Sequence, residues 1–519
     1  MPFARREQGQ NQGDRCVRRT DGPALTRPPN YASFGIAIPG ADQVVPAVHE
    51  HLFEVSKGPM SNFPTEILSS ERIASLEQDI TEEAEAGRKD GAWQKLQPLR
   101  QAQHHQYEAT NSLLRIIGQR CLSIDGAADV LLEIVQSHAR DTKILATVGE
   151  CLEAAHDIDE LNAPPPAHAV FHTVIERLAT LAREQAGLPQ EEDILRGLAT
   201  AARMLARQYD DIAESSYRKL TEINPRKGAH HYNLGLFFKT RGKFAEGMKS
   251  NQVAASLADK TIEADETIDA YEWNLGICAT GSGNGPVALD VWKQMGQEIE
   301  MGRFGLPEGS YPHAKVKVAQ RPLAERSADL DDPGLEETIW IERLSPCHGI
   351  IRSVLYGELG VDYGDVILID GAPITHHTYG DKQVPVFPHL ATLVRRKYKH
   401  YDFAGTQHEP RQLADADIEL DGDSVVYPHS EYLRQFCARC WRDPDVDHDQ
   451  HEQVERRIVV GRIAAAPDVD PVQLLDQIDK ALARRSGCQL YVPDLCLAAG
   501  FQARASVEKR RFDLLTRNE

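Results

Sequence analysis

The chain has 519 residues, 41% apolar and 26% charged, with a formal net charge of −20. That length provides for two to four domains, and the acidic balance opposes binding to nucleic acid or an anionic membrane, because phosphates would be repelled rather than shed counterions. No apolar run approaches the ~20 residues of a membrane span, and nine thinly spread cysteines imply no disulfide framework, so the expectation is a cytoplasmic chain.

Residues 1–60 open with an Arg-, Gly-, Gln- and Pro-rich stretch and read as a disordered or irregular tail. Residues 61–190 read as a helical region. IASLEQDITEEAEAGRKDGAWQKLQPLRQAQHHQYEATNSLLRIIGQRCL carries apolar residues at three- and four-residue spacing among good helix formers. Ala163-Pro164-Pro165-Pro166 breaks the pattern, since proline is not accommodated in a helix interior.

Residues 191–304 repeat. Asn233-Leu234-Gly235 recurs as Asn274-Leu275-Gly276. Ala213, Gly247 and Ala288 hold equivalent small-residue positions, with Tyr217 and Trp292 four residues after the first and last of these. Phe238 follows the first Leu-Gly, and Pro225 closes its unit. The pattern resembles the tetratricopeptide repeat, a pair of antiparallel helices about 34 residues long. Three units fall at roughly 194–227, 228–261 and 269–302. Two positions depart from the pattern: Asn251 stands where an aromatic is expected, and Ala279 replaces the tyrosine. The earlier helices give no phase for further units. The resemblance implies a groove lined by the first helix of each unit, which in relatives binds a protein or peptide. In that frame Tyr232, Asn233, Leu236, Lys239, Trp273, Asn274 and Ile277 are the candidate partner-binding residues. The competing reading is that they touch the chain's own C-terminal domain. GSGNGP at 281–286 lacks the Lys-Ser/Thr of a phosphate loop and reads as the turn between two repeat helices.

Residues 305–335 read as a linker. Residues 336–455 then supply short β-branched and aromatic runs, ETIWIERL, HGIIRSVLY, GDVILIDG, KQVPVFP, YKHYDFAG and DSVVYPHS, bounded by Gly, Pro and Asp. They suggest a small barrel or compact antiparallel sheet. Residues 456–519 follow in β-α-β order, with a strand in RRIVVGRIAAAP, a helix in DPVQLLDQIDKALARR and a strand in CQLYVPDLCLAAG. The expected fold class is multidomain: an all-α helical-repeat half followed by an α+β, β-rich half.

Cys437, Cys440, His448 and His451 fall within fifteen residues. Two thiolates and two imidazoles suit tetrahedral zinc, and Cys-x2-Cys lets a tight turn grip one ion. The remaining spacing departs from common fingers. A redox pair and an acidic loop with incidental ligands are the alternatives. A redox Cys-x-x-Cys should follow a strand and open a helix, whereas EYLRQFCARC reads as the end of a helix-like run. In SPCHG, Cys347 reads as a buried thiol rather than a nucleophile. The functional expectation is an adaptor that binds a peptide or partner protein through the repeat groove, its C-terminal module pinned by structural zinc. The alternative is a metal-dependent hydrolase whose site lies among the C-terminal histidines, with the repeats recruiting substrate. That alternative lacks any H-E-x-x-H-type motif.

Overall fold

The structure is a computed structural model that describes residues 67–156, 169–205, 207–258, 265–355, 357–379, 382–416, 418–442 and 453–517. Its helical half is a run of antiparallel helix pairs: α1 (Ser70–Glu85) with α2 (Lys89–Ala102), α3 (Tyr107–Gly118) with α4 (Ile124–Ser137), α5 (Thr142–Cys151) with α6 (Ala169–Glu184), α7 (Glu191–Leu205) with α8 (Asp210–Ile223), α9 (Gly228–Thr240) with α10 (Phe244–Leu257), and α11 (Asp265–Gly281) with α12 (Gly285–Gln294). Side chains mark several starts, accepting hydrogen bonds from orphan first-turn amides: Ser69, Ser123, Asp141 and Asn284 are N-caps. The first helix of one pair packs on the first helix of the next at α1–α3, α3–α5, α5–α7 and α9–α11. One apolar core runs from Ile73 to Phe238 through five of the six pairs.

Small residues set how closely the helices approach. A Cβ on Gly235 would lie 2.2 Å from Asn251 Nδ2, and one on Gly276 would lie 2.5 Å from the Trp292 ring. Both contacts join a first helix to the second helix of its own pair, at the same offset in the repeat. Asn251, the departure noted in the sequence, thus fills the place of an aromatic with an amide. It is fully buried, and its Nδ2 donates to Gly247 O at 2.8 Å. At the α5–α7 crossing two glycines meet, a Cβ on Gly149 falling 2.4 Å from Gly197 O. The GSGNGP stretch is a turn, with Gly283 at φ +73° and the Asn284 side chain capping α12.

The sequence left residues 66–187 without a phase. They form three helix pairs whose first helices begin at Ser70, Tyr107 and Thr142, a spacing close to that of the later pairs. None of the three carries the Leu-Gly pair that marks Leu234-Gly235 and Leu275-Gly276. The Ala163–Pro166 break lies outside the described residues.

After a two-stranded ribbon, β1 (Ile299–Met301) with β2 (Pro307–Gly309), comes a five-stranded barrel. Its strands are β3 (Ala314–Ala319), β4 (Glu336–Arg343), β5 (His348–Ile351), β6 (Val366–Ile369) and β8 (Lys382–Val394), with β7 (Thr375–Tyr379) added outside β8 as a hairpin. Parallel pairing of β3 with β8 closes the barrel and removes its edges. Residues 305–335 are therefore not a linker. β3 is disguised by its lysines: Lys315 lies over the Trp340 ring at 5.3 Å, and Lys317 pairs with Glu336 at 2.9 Å, while Ala314, Val316, Val318 and Ala319 are buried.

A second sheet follows, ordered β10 (Val425–Cys437), β11 (Gln453–Ala465), β9 (Lys399–Gln407), β12 (Gln489–Tyr491). A short helix α13 (Ala438–Arg442) leaves β10, and α14 (Pro471–Ala483), α15 (Pro493–Ala498) and α16 (Gln502–Thr516) cover the sheet. The division at 455/456 drawn from the sequence falls inside β11, because β9 and β10 pair with the strands that follow them rather than with the barrel. The strand read in CQLYVPDLCLAAG is only Gln489–Tyr491, since Pro493 starts a helix. EYLRQFC is strand, not helix. Its apolar residues Tyr432 and Phe436 keep four-residue spacing, but they also keep the even parity of one sheet face, and β11 supplies the ladder partner.

Candidate interaction surface

The expected groove residues sit on α9 and α11, and the structure divides them into three groups. Lys239, Trp273 and Ile277 meet the chain's own barrel. Lys239 Nζ pairs with Asp370 Oδ2 at 2.8 Å, both side chains being buried. Asp370 follows β6, and the next residue is Gly371, where a Cβ would fall 1.7 Å from Trp273 Nε1. Only a residue without a side chain fits under that indole. Ile277 is fully buried in a cluster that joins Phe244, Ala288 and Trp292 of the helices to Cys347, Leu368, Leu390 and Ala391 of the barrel. A polar clamp stands beside this cluster. Arg207 Nε pairs with Asp331 at 3.0 Å, and its Nη2 donates to Thr240 O at 3.1 Å and to Leu323 O.

Tyr232 and Asn274 lie inside the helix packing instead. The Tyr232 ring packs tilted against Tyr271, centroids 5.1 Å apart, beside Ala254. Asn274 is buried, and its Nδ2 donates to Asn251 Oδ1 of the neighbouring pair at 3.2 Å, while its Oδ1 accepts no hydrogen bond. Asn233 is buried on α9, and Leu236 is half-buried there. Of the two readings weighed in the sequence, contact with the chain's own C-terminal domain describes Lys239, Trp273 and Ile277. Sequence reasoning missed Asp370 and Gly371 as their partners. The strand ending in Asp370-Gly371 was visible, but nothing local announces which helix it meets.

Other candidate chemistry is built differently. Ser345 Oγ lies 2.5 Å from His348 Nδ1 and accepts the Cys347 and His348 amides, forming a buried turn. Burial pushes the Cys347 thiol up to about 11 and the Cys278 thiol up to about 12, which keeps both protonated and inert. Burial drives His348 down to about 3, so it is neutral. Among the described residues no group of three or more His, Cys, Asp and Glu is arranged to hold a metal. The C-terminal histidines are spread over separate places: His348 buried on β5, His389 buried on β8, His376 and His377 on β7, and His400 beside Asp362 at 3.4 Å.

The Cys-His stretch spans the connection from β10 to β11. Cys437 is buried and pairs in register with Gln453, which brings the two ends of the stretch together. Cys440 lies in α13, and His448 and His451 lie outside the described residues. Cys437 ends a strand and α13 follows it, contrary to the helix-like run read from sequence. That reading's objection to a redox pair thereby falls away.

No helix among the described residues is long and apolar enough to cross a membrane. No family model matches the chain, and no curated protein matches it. Among solved structures, a crystal structure of MamA protein covers 37% of this chain and 98% of its own, at 13% identity and a TM-score of 0.24. A second MamA structure, from AMB-1, covers 44% of this chain and 92% of its own, at 14% identity and a TM-score of 0.22.

Proposed function

We propose that the chain is a protein-interaction adaptor built on a tetratricopeptide-like array, with the barrel and second sheet as a further binding module. The observation that supports this is the array itself: consecutive helix pairs with first helices side by side, the geometry that makes an extended binding surface. The C-terminal end of that surface carries the barrel, so a protein or peptide partner is expected to use what remains, with Asn233 and Leu236 at its margin. Leu236 is the residue to test, because it is half-buried on α9 and its replacement leaves the buried Asn274–Asn251 bond in place. The chain would be used to capture partners and Leu236→Glu compared with it. A partner lost by the variant, with unchanged circular dichroism, supports the groove. Equal capture by both refutes it.

A structural zinc held by Cys437, Cys440, His448 and His451 is a second proposal. It is favoured by the Cys437–Gln453 register pair, which draws the two ends of the ligand stretch together. Elemental analysis of the purified chain should give one zinc that Cys437→Ser/Cys440→Ser removes. A metal-free chain would leave the β10–β11 connection an acidic loop.

A further inference from the structure

The second sheet has two edges of unequal kind. β12 is three residues long, whereas β10 is thirteen and, among the described residues, pairs with β11 alone. An edge strand presents the N–H and C=O of every second residue outward, which is a template for another strand. The register shift between Pro428 and Ser430 ends the regular part of β10, leaving Ser430–Cys437. In the middle of that stretch stand two adjacent exposed apolar residues, Tyr432 at 39% and Leu433 at 52%.

We propose that β10 pairs antiparallel with β10 of a second copy of this chain, about a two-fold axis through Leu433, joining two four-stranded sheets into one of eight. The register follows from matching. A two-fold axis perpendicular to a sheet keeps its faces, so it must pass through a residue, and three choices lie at or beside the exposed pair. An axis on Arg434 sets two guanidinium groups directly opposite each other, which is unfavourable. An axis on Tyr432 opposes Leu433 to Glu431 and Arg434 to Ser430. An axis on Leu433 sets Leu433 on Leu433, Tyr432 against the stem of Arg434, and Glu431 against Gln435, with no like charges facing. The Arg434 head is already fixed in a compatible pose, since its Nη1 donates to the Arg517 carbonyl past the end of α16 at 2.7 Å. Tyr432 is held on the same face by its hydroxyl, which donates to Leu515 O at 3.1 Å.

Sedimentation velocity on the full chain tests this. The chain should sediment as a dimer. Leu433→Lys and Leu433→Glu should each be monomeric with unchanged circular dichroism, because each puts like charges on the axis. Mixing the two variants should restore the dimer, since lysine then faces glutamate. A monomeric parent chain would overturn the proposal, whether or not its edge captured a foreign strand. So would a dimer that survives both substitutions, or variants that stay monomeric when mixed although each is folded.

Discussion

Replacing Lys239 by alanine should destabilise the seating of the barrel on the helices by about 3–5 kcal/mol, and Asp370→Ala should do the same, because each leaves an uncompensated charge in a buried place. The partners are 2.8 Å apart and both side chains are nearly inaccessible, so water cannot take over the lost role. The double replacement Lys239→Met/Asp370→Leu should cost much less than the sum, since it removes both charges and keeps apolar volume. Urea unfolding of the four proteins measures the effect. Independent, additive losses would mean that the two groups are not coupled, and that the ion pair does not hold the two halves together.

The second large effect is acid lability. Among the described residues three histidines are buried and neutral: burial holds His230 down to about 4, and His348 and His389 down to about 3. Free histidine titrates near 6.5. The folded state therefore binds fewer protons than the unfolded chain once pH falls below about 6.5, and stability drops as pH falls further. Above that value nothing is lost. His348 and His389 both belong to the barrel, so its stability should fall by roughly 3 kcal/mol per pH unit between pH 6 and 4, about twice the slope that His230 gives the helices. Stabilities of domains are of order 5–15 kcal/mol, so the barrel should open first on acidification. Urea midpoints at pH 7, 6 and 5, read from a barrel probe such as Trp340, check this. A midpoint independent of pH would contradict the burial of these groups.

How much of this was legible in the sequence depends on the distance over which each interaction acts. The later helix pairs could be read because Leu234-Gly235 and Leu275-Gly276 mark a contact made within one pair, against Asn251 and Trp292. The third pair meets the fourth through Gly149 and Gly197, two isolated glycines on different helices with no repeated neighbours, so periodicity gives the third pair no phase. The barrel strands were visible singly, apart from β3, whose Lys315 and Lys317 look solvent-facing until Trp340 and Glu336 come beside them. Which strands share a sheet was not visible, because pairing of β9 with β11 joins segments some fifty residues apart. The groove residues were placed on the right helices, but burial decides what they do. Lys239 is a groove lysine by repeat position and an interior ion-pair partner by virtue of Asp370, more than a hundred residues later.

The barrel covers the first-helix face of the last two helix pairs, through Lys239 on Asp370 and Trp273 on Gly371. Hydrogen–deuterium exchange on the chain and on Gly371→Val tests it directly, because a side chain at that position would collide with Trp273. Segments 269–281 and 366–373 should be protected in the parent and lose protection together in the variant, while 70–118 is unchanged. Faster exchange confined to 366–373, with 269–281 as slow as before, would contradict it.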